Sequence, residues 1–489
     1  MTKDELLAVH PVNKAYTDRW NFWGLAYEGG EDFIKFVLKQ NVRESSANWV
    51  QRIEEGVNFN YCAAIIDLFN FYLTEKPVTR VLGGLETDEL WQQFLKDCDF
   101  KGTNFDTYLN EISKMSSIYS HVGVFVNKAA SSEPMYSRYE EIKNNLYPHL
   151  CVYTPQNIMD WDFKVTQFGG RPQLVYLKLR EDNGNILVMT LSSWEIWRVR
   201  SDGGLKSTEQ IELIDSGENG LGIIPFFWSY NMRSPVNQNN GISDVREISN
   251  ITASICRNLS SGDEIIKYAG FPMLRTPMEA EGQASTGSDI MVSPRGVLEF
   301  NPEMGAEGKP DWLESEVLEP VEAILNWTDR KVDEVYRVAH LSGVHGQRKS
   351  NNEVASGLAL RYEFQQLNSV LGKKSDGLCE AELEIIRFWL IWQGKYDLFK
   401  EVEVIRSKQF SVEDLSISLD NCEKAMKTVL SNHFKKLVQK SMVKQVLPDM
   451  SEKDVALIHQ EIETGVDKMK TEQSIVQPEL GQIPSNKSL

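Results

Sequence analysis

Two stretches decide how this chain is read: residues 244–269, DVREISNITASICRNLSSGDEIIKYA, and residues 312–340, WLESEVLEPVEAILNWTDRKVDEVYRVAH. In the first, Val245, Ile248, Ile251, Ile255 and Leu259 recur at steps of three and four, which makes a narrow apolar stripe on a helix. In the second, Val317, Val321, Ile324, Thr328, Val332, Val335 and Ala339 do the same, and Pro320 marks a first turn or a kink. Between them, residues 270–310 are rich in Gly, Pro and Ser and hold weak strand candidates at 273–275, 290–292 and 297–300. The pattern predicts two helices, out and back, with a small β-rich excursion at the far end. A narrow stripe buries on one side only, so each helix needs something to pack against. Identical copies placed side by side around an axis would supply it.

Working outward toward the N-terminus, the spacing predicts helices over 48–73, 86–98 and 104–120 and a strand over 123–127. Pro77 stops the first helix, and Thr87 or Asp88 caps the second. Residues 1–40 are mixed and aromatic-rich. From about 148 the period shortens. Runs at 150–153, 174–179, 186–189, 194–199 and 210–214 are rich in β-branched and aromatic residues, with turn clusters such as Asp182-Asn-Gly184 between most of them. They read as an antiparallel meander that ends in a strand at 223–228. Toward the C-terminus, residues 341–355 hold no large apolar side chain except Leu341, Val344 and Val354, so they read as a polar loop. A very long helix follows over 356–393, with Leu360, Phe364, Leu367, Leu371, Leu378, Ile385 and Trp392 on one face. A short strand near Phe410, helices over 422–446 and 451–463 and a disordered tail over 466–489 complete the chain. The fold class is α+β, mainly helical, with an antiparallel β meander.

The chain has 489 residues, 41% apolar and 10% aromatic, enough for two to four domains with a sizeable core. Lys plus Arg is 52 against 70 Asp plus Glu, a net charge of −18. Such a chain is no wrapper of nucleic acid, because phosphate affinity rests on Lys and Arg. No apolar run approaches the roughly 18 residues that span a bilayer, so no membrane is expected. The acidic N-terminus does not read as a signal peptide. The six cysteines (62, 98, 151, 256, 379 and 422) are scattered, which is neither a disulfide framework nor a zinc spacing. They read as thiols in a reducing cytoplasm.

Motifs for chemistry are sparse. Gly343-Val-His-Gly-Gln-Arg-Lys-Ser350 has the length and ends of a phosphate-binding loop. However, Arg348 stands where a glycine is needed, and a helix rather than a strand precedes it. It reads either as a flexible polar linker between helices or as a loop whose Arg348 and Lys349 touch something anionic. His340 and His345 lack further ligands at metal-site spacing. Asp97-Cys-Asp99 opens like a calcium loop, but Lys101 and Tyr108 occupy ligand positions, so a plain acidic turn is expected. The acids Glu314, Glu316, Glu319 and Glu322, and the seven lysines between 424 and 453, read as solvated helix faces. Trp389 and Trp392 read as core or interface residues. No catalytic residue, cofactor or metal is expected, and an enzyme is not the reading these residues favour.

Several phrases carry a resemblance to a known family. They are Tyr153-Thr-Pro-Gln-Asn-Ile-Met-Asp-Trp161 before the meander, Gly222-Ile-Ile-Pro-Phe-Phe-Trp228 after it, Ile242-Ser-Asp-Val-Arg-Glu-Ile248 at the next helix, and Ser356-Gly-Leu-Ala-Leu-Arg361 opening the long one. In these phrases and in the order of its elements, the chain over residues 45–465 resembles the portal (head-to-tail connector) proteins of tailed bacteriophages. The resemblance implies a homo-oligomeric ring, usually of twelve copies, at one capsid vertex of the virion, assembled in the host cytoplasm. Residues 1–235 and 356–395 would form the wing, 236–269 and 312–340 the stem and 270–311 the clip. Residues 341–355 would be a tunnel loop and 396–465 the crown. Double-stranded DNA would pass through the ring during packaging and ejection. The partners implied are the terminase large subunit, the major capsid protein and scaffold, and a head-completion or tail adaptor protein. Within the loop, His345, Gln347, Arg348, Lys349, Asn351 and Asn352 would face the DNA. Two rival readings stand beside this one: another virion structural or scaffold protein without a channel, and an enzyme without a recognisable motif.

Overall fold

The computed structural model describes residues 2–42, 44–128, 140, 146–165, 170–200, 210–237, 240–270, 273–275, 311–313, 318–341, 357–408, 410, 423–428, 431–446, 454–455 and 457–463. The chain divides into two compact units, Met1–Phe410 and Ser411–Leu489.

The first unit opens with helices α1 (Lys3–Leu7), α2 (Pro11–Glu28), α3 (Gly30–Val37), α4 (Ser46–Glu54) and α5 (Tyr61–Glu75). The single helix expected over 48–73 is therefore two. Asn60 restarts the chain by accepting a hydrogen bond from the Ala63 amide at 3.0 Å, and Gly56 and Asn58 lie in the break. The aromatic-rich opening is core rather than appendage: Trp20 and Trp23 are buried with Phe33, Ile66 and Phe69. Strand β1 (Thr79–Val81) leads to α6 (Glu89–Lys96), capped as expected by Asp88, and to α7 (Phe105–Tyr119), capped by Asn104.

The strands form two larger sheets. Strands β2 (His121–Asn127), β3 (His149–Tyr153) and β9 (Phe226–Tyr230) make a three-stranded antiparallel sheet in the order β3-β2-β9. Gly123 in β2 is required there, because a Cβ would lie 2.3 Å from the Phe226 ring. The five-stranded meander runs β4 (Ile158–Lys164), β5 (Gln173–Arg180), β6 (Ile186–Thr190), β7 (Ser193–Arg200) and β8 (Gln210–Glu218). This corrects two expectations. The run at 150–153 and the strand after the meander pair with β2 instead, and the meander's first strand is β4. Leu177, Leu179 and Met189 pack one face of the meander onto Phe125 and Phe226, while Leu6 of α1 is buried against Met159, Ile186 and Val188.

Helix α8 (Val245–Gly270) and helix α9 (Leu318–Val338) form the expected hairpin, with Pro320 in the first turn of α9. Strands β10 (Met273–Arg275) and β11 (Asp311–Leu313) pair antiparallel at the point where the excursion leaves and returns. Trp312 thus belongs to a strand, and the helix expected from 312 starts at Leu318. The candidate strands at 290–292 and 297–300 lie outside the described residues. The two stripes pack into the core of this chain: Val245, Ile248, Ile255, Val335, Ala339 and Leu341 are all buried there. A neighbouring copy is not needed to cover them. Polar rungs cross the hairpin, with Asn258 Nδ2 donating to Thr328 Oγ1 at 3.4 Å and Lys331 Nζ donating to Ser254 Oγ at 2.8 Å.

Helix α10 (Gly357–Trp392) is the long one, and Leu367, Leu371, Leu378 and Ile385 are buried along it as the spacing predicts. It joins the two main hydrophobic clusters, contributing Leu371 to one and Trp389 to the other. The strand expected near Phe410 is β12 (Glu403–Ile405), which pairs with β1; Phe410 itself is a buried loop residue. In the second unit, residues 423–428 are helical and α11 (Asn432–Val446) follows. There Glu463 accepts hydrogen bonds from Lys436 Nζ at 3.0 Å and Lys440 Nζ at 2.7 Å. The tail over 466–489 lies outside the described residues. Described and expected architecture agree on a mixed helical and antiparallel-sheet protein.

Candidate functional site

The residues expected to face DNA, namely His345, Gln347, Arg348, Lys349, Asn351 and Asn352, lie outside the described residues. What is described is how the chain approaches and leaves that segment. Helix α9 ends at Val338, and His340 follows it in a left-handed conformation with φ 58°. Leu341 then anchors the chain by burial in the core. The chain re-enters at Gly357, at the start of α10.

The densest polar site lies where α10 crosses the base of the hairpin. Lys374 is almost wholly buried, and its ammonium forms an ion pair with Asp244 and donates to Asn231 Oδ1 and, at 3.0 Å, to Ser117 Oγ. Asn231 Nδ2 in turn donates to Asp244 Oδ1 at 2.9 Å and to the Ile242 carbonyl at 2.9 Å. Ser243 closes the arrangement. Its hydroxyl donates to the Ile118 carbonyl at 2.6 Å and accepts from the Val245 amide at 3.2 Å, so the first turn of α8 is tied to the end of α7. Next to it, His121 is buried with Ser120 and Asn240, and burial depresses its pKa to about 3, opposed by a hydrogen bond to the Asn240 side chain that favours the charged ring. The site holds its charges against each other. It fixes the angle at which the hairpin leaves the body.

A second buried charge works in the same way. Glu382 of α10 is fully buried, forms an ion pair with Arg80 of β1 and accepts from Arg406 Nη2 at 2.6 Å beyond β12. The β1–β12 pair is thereby fastened to the long helix.

The remaining sequence candidates resolve into structure. Asp97 and Asp99 accept from the backbone amides of Gly102 (3.0 Å), Lys101 (2.9 Å) and Thr103 (3.3 Å), so these carboxylates stabilise a turn. Trp389 is buried edge-on to Trp91 at 5.0 Å, and Trp392 Nε1 donates to the Val126 carbonyl at 2.7 Å, which makes both part of the packing. Cys62, Cys98 and Cys256 are buried, and burial pushes the Cys62 thiol up to about 12. Among the described residues, no group of three His, Cys, Asp or Glu is placed to hold a metal ion. No helix among them is long and apolar enough to cross a membrane.

The hairpin also shows apolar side chains that its stripes leave over. Leu318 is 72% exposed, and Ile266, Leu325 and Trp327 are each 54% exposed. The sequence reading missed this second set, because its members fall between the stripe positions.

No known family model matches the sequence, and no curated protein does. Among solved structures, a chain from the neck of an empty gene transfer agent (GTA) particle computed with C6 symmetry is similar over 82% of this chain and 95% of its own, at 9% identity and a TM-score of 0.39. A chain from the virion of a native GTA particle is similar over 80% of this chain and 92% of its own, at 11% identity and a TM-score of 0.40. A chain from the neck of a native GTA particle computed with C12 symmetry is similar over 77% and 88%, at 11% identity and a TM-score of 0.37. Likeness this slight carries no functional conclusion.

Proposed function

We propose that this chain is a virion structural subunit of portal type. Copies stand side by side as a ring at one capsid vertex, and double-stranded DNA passes through the bore during packaging and ejection. The observation that carries the reading is the α8–α9 hairpin: its stripes are satisfied internally, yet Ile266, Leu318, Leu325 and Trp327 stay in water. Large apolar side chains clustered on one element mark a contact surface. A ring closed by heterologous contacts would cover them on every copy.

Charge supports the same reading. Duplex DNA carries one charge per about 1.7 Å of axis, and a basic lining would grip it through counterion release. A chain of net charge −18 repels it instead. In this reading Arg348, Lys349, His345, Gln347, Asn351 and Asn352 make the transient phosphate contacts, and the excursion between β10 and β11 docks the terminase motor and later the tail adaptors. The ring is of twelve copies. Neutralising Arg348 and Lys349 together leaves ring assembly intact and lowers DNA retention or packaging. Loss of the ring in that double variant would contradict the loop's assignment. Sedimentation of the purified chain tests the reading itself. A ring sediments many times heavier than the 55.8 kDa chain, and a particle that stays at one to four copies under all assembly conditions would contradict it.

A further inference from the structure

The five-stranded meander has two buried faces, and the second is covered by α1. Leu177, Leu179 and Met189 lie on the face that packs into the first unit. Their chain neighbours lie on the other. There Asp160, Lys178, Val188 and Glu195 stand in one row across β4, β5, β6 and β7. Glu195 is engaged by Trp197 Nε1, which donates to it at 2.9 Å. Met159, Ile186 and Val188 are buried on this side against Leu6. Among the described residues, every member of this small core comes from the meander except Leu6 and Leu7 of α1.

Helix α1 meets that face through one leucine and one carbonyl. Leu6 is wholly buried. Lys178, only 1% exposed, donates from Nζ to the Glu5 carbonyl at 2.9 Å, with Asp160 at 3.9 Å as its counter-charge. Among the described residues, that carbonyl is the one hydrogen-bond acceptor Lys178 has. An ammonium at the last turn of a helix also suits the helix dipole. The other end of α1 closes on itself: the Thr2 amide donates to Glu5 Oε2 at 2.8 Å, and the Glu5 amide donates to Thr2 Oγ1 at 3.3 Å. A helix of five residues is not stable alone, so α1 is helical because it is docked. The chain is next fixed at His10, whose amide donates to the Met159 carbonyl at 2.8 Å and whose ring stacks on Trp161 at 4.0 Å. Only Ala8 and Val9 lie between, both exposed. Residues 2–7 thus carry their whole recognition surface, and the site that receives them is complete without α2.

We infer that α1 is an exchangeable arm: the outer face of the meander takes residues 2–7 of its own copy in the single chain, and those of a second copy where chains associate. Exchanging an identical element keeps every contact of the closed form, with Leu6 on Met159, Ile186 and Val188 and the Glu5 carbonyl on Lys178. The hinge is Ala8–Val9, and an extended arm reaches about 25 Å from His10. The inference goes beyond the ring reading, because it holds for any association that brings two meanders that close.

The test uses the full chain. Leu6→Asp puts a carboxylate on the arm where the site is apolar, so the arm leaves and the site stands open. A fluorescent peptide of residues 2–9 is expected to bind this variant at least tenfold more tightly than it binds the unaltered chain, whose own α1 competes. The same peptide carrying Leu6→Asp does not bind, and adding Lys178→Met to the Leu6→Asp chain weakens binding at least fivefold. Equal binding to the variant and the unaltered chain, or no binding to either, would overturn the site. A second measurement alters no residue, so it stands whether or not Leu6→Asp folds. Equal amounts of isotope-labelled and unlabelled chain are mixed, allowed to associate and crosslinked through lysines. Crosslinks from Lys3 to the meander are expected to join labelled to unlabelled segments. Like-labelled pairs alone, in material that sediments as rings, would overturn the exchange and leave the ring reading in place. Mixed pairs in material without rings would uphold the exchange and contradict the ring reading. A chain that stays single at every concentration would overturn both.

Discussion

At the scale of single residues, the molecule is governed by a few charges placed where water cannot reach them. Lys374 is the clearest, since its partners come from α7, the segment after β9 and the start of α8. Replacing it with Met leaves Asp244 buried without its cation, and breaking a buried pair from one side costs about 3–5 kcal/mol. Lys374→Met should therefore lower unfolding stability in urea by that order, and adding Asp244→Asn should recover part of the loss. Equal stabilities in the single and double variants would mean the pair is not coupled. His121 sets a pH dependence. Its folded pKa of about 3 lies below the ordinary 6.5, so the unfolded chain binds the proton more readily. Stability is then fully present above about pH 6.5 and falls as pH drops toward 3. Thermal unfolding followed from pH 7 to pH 4 should show that slope, and His121→Gln should flatten it. None of these residues was legible in the sequence. An isolated Lys, Asp or His has no spacing signature, and its role appears only when four segments meet.

At the scale of elements, periodicity was legible wherever one face alone decides the pattern. The stripes of α8 and α9, the buried face of α10 and four strands of the meander were all readable because alternation or helical spacing continues over several turns or pairs. The failures have physical causes. Strand β4 was hidden because Thr154, Pro155, Gln156 and Asn157 read as a loop and only a short run follows them. The break between α4 and α5 was missed because the apolar spacing continues across Gly56, while the Asn60 cap restarts the helix behind it. Trp312 was placed in a helix because its neighbours are acidic and helix-compatible, yet pairing with Leu274 decides for a strand. The candidate DNA-facing loop rested on its polar composition together with the resemblance to portal proteins, and the described residues include only Leu341 and Gly357 at its ends. The leftover apolar set on the hairpin yields a prediction of its own. Changing Leu318, Leu325 and Trp327 to Ser removes side chains that are 72%, 54% and 54% exposed, so the single chain should lose about 1 kcal/mol or less per site. Its assembly should weaken at least tenfold by sedimentation. A large loss of chain stability with unchanged assembly would show that these residues pack internally.

At the scale of the whole molecule, sequence and structure agree on a mixed helical and antiparallel-sheet chain with a helical hairpin and an excess of negative charge, and the structure adds the apolar side chains exposed along the hairpin. Because the acidic balance opposes phosphate binding, duplex DNA longer than the bore should show no retardation by the assembled protein in a gel at physiological salt. Tight, salt-sensitive retardation would favour a DNA-binding role over a channel.

The central claim is most directly measured by cryo-electron microscopy of the purified full chain under assembly conditions. The account predicts closed rings with a continuous axial channel, Leu318, Leu325 and Trp327 covered between neighbouring hairpins, and the segment after Leu341 at the narrowest part of the bore. Solitary particles, or a closed assembly without a through-channel, would contradict it.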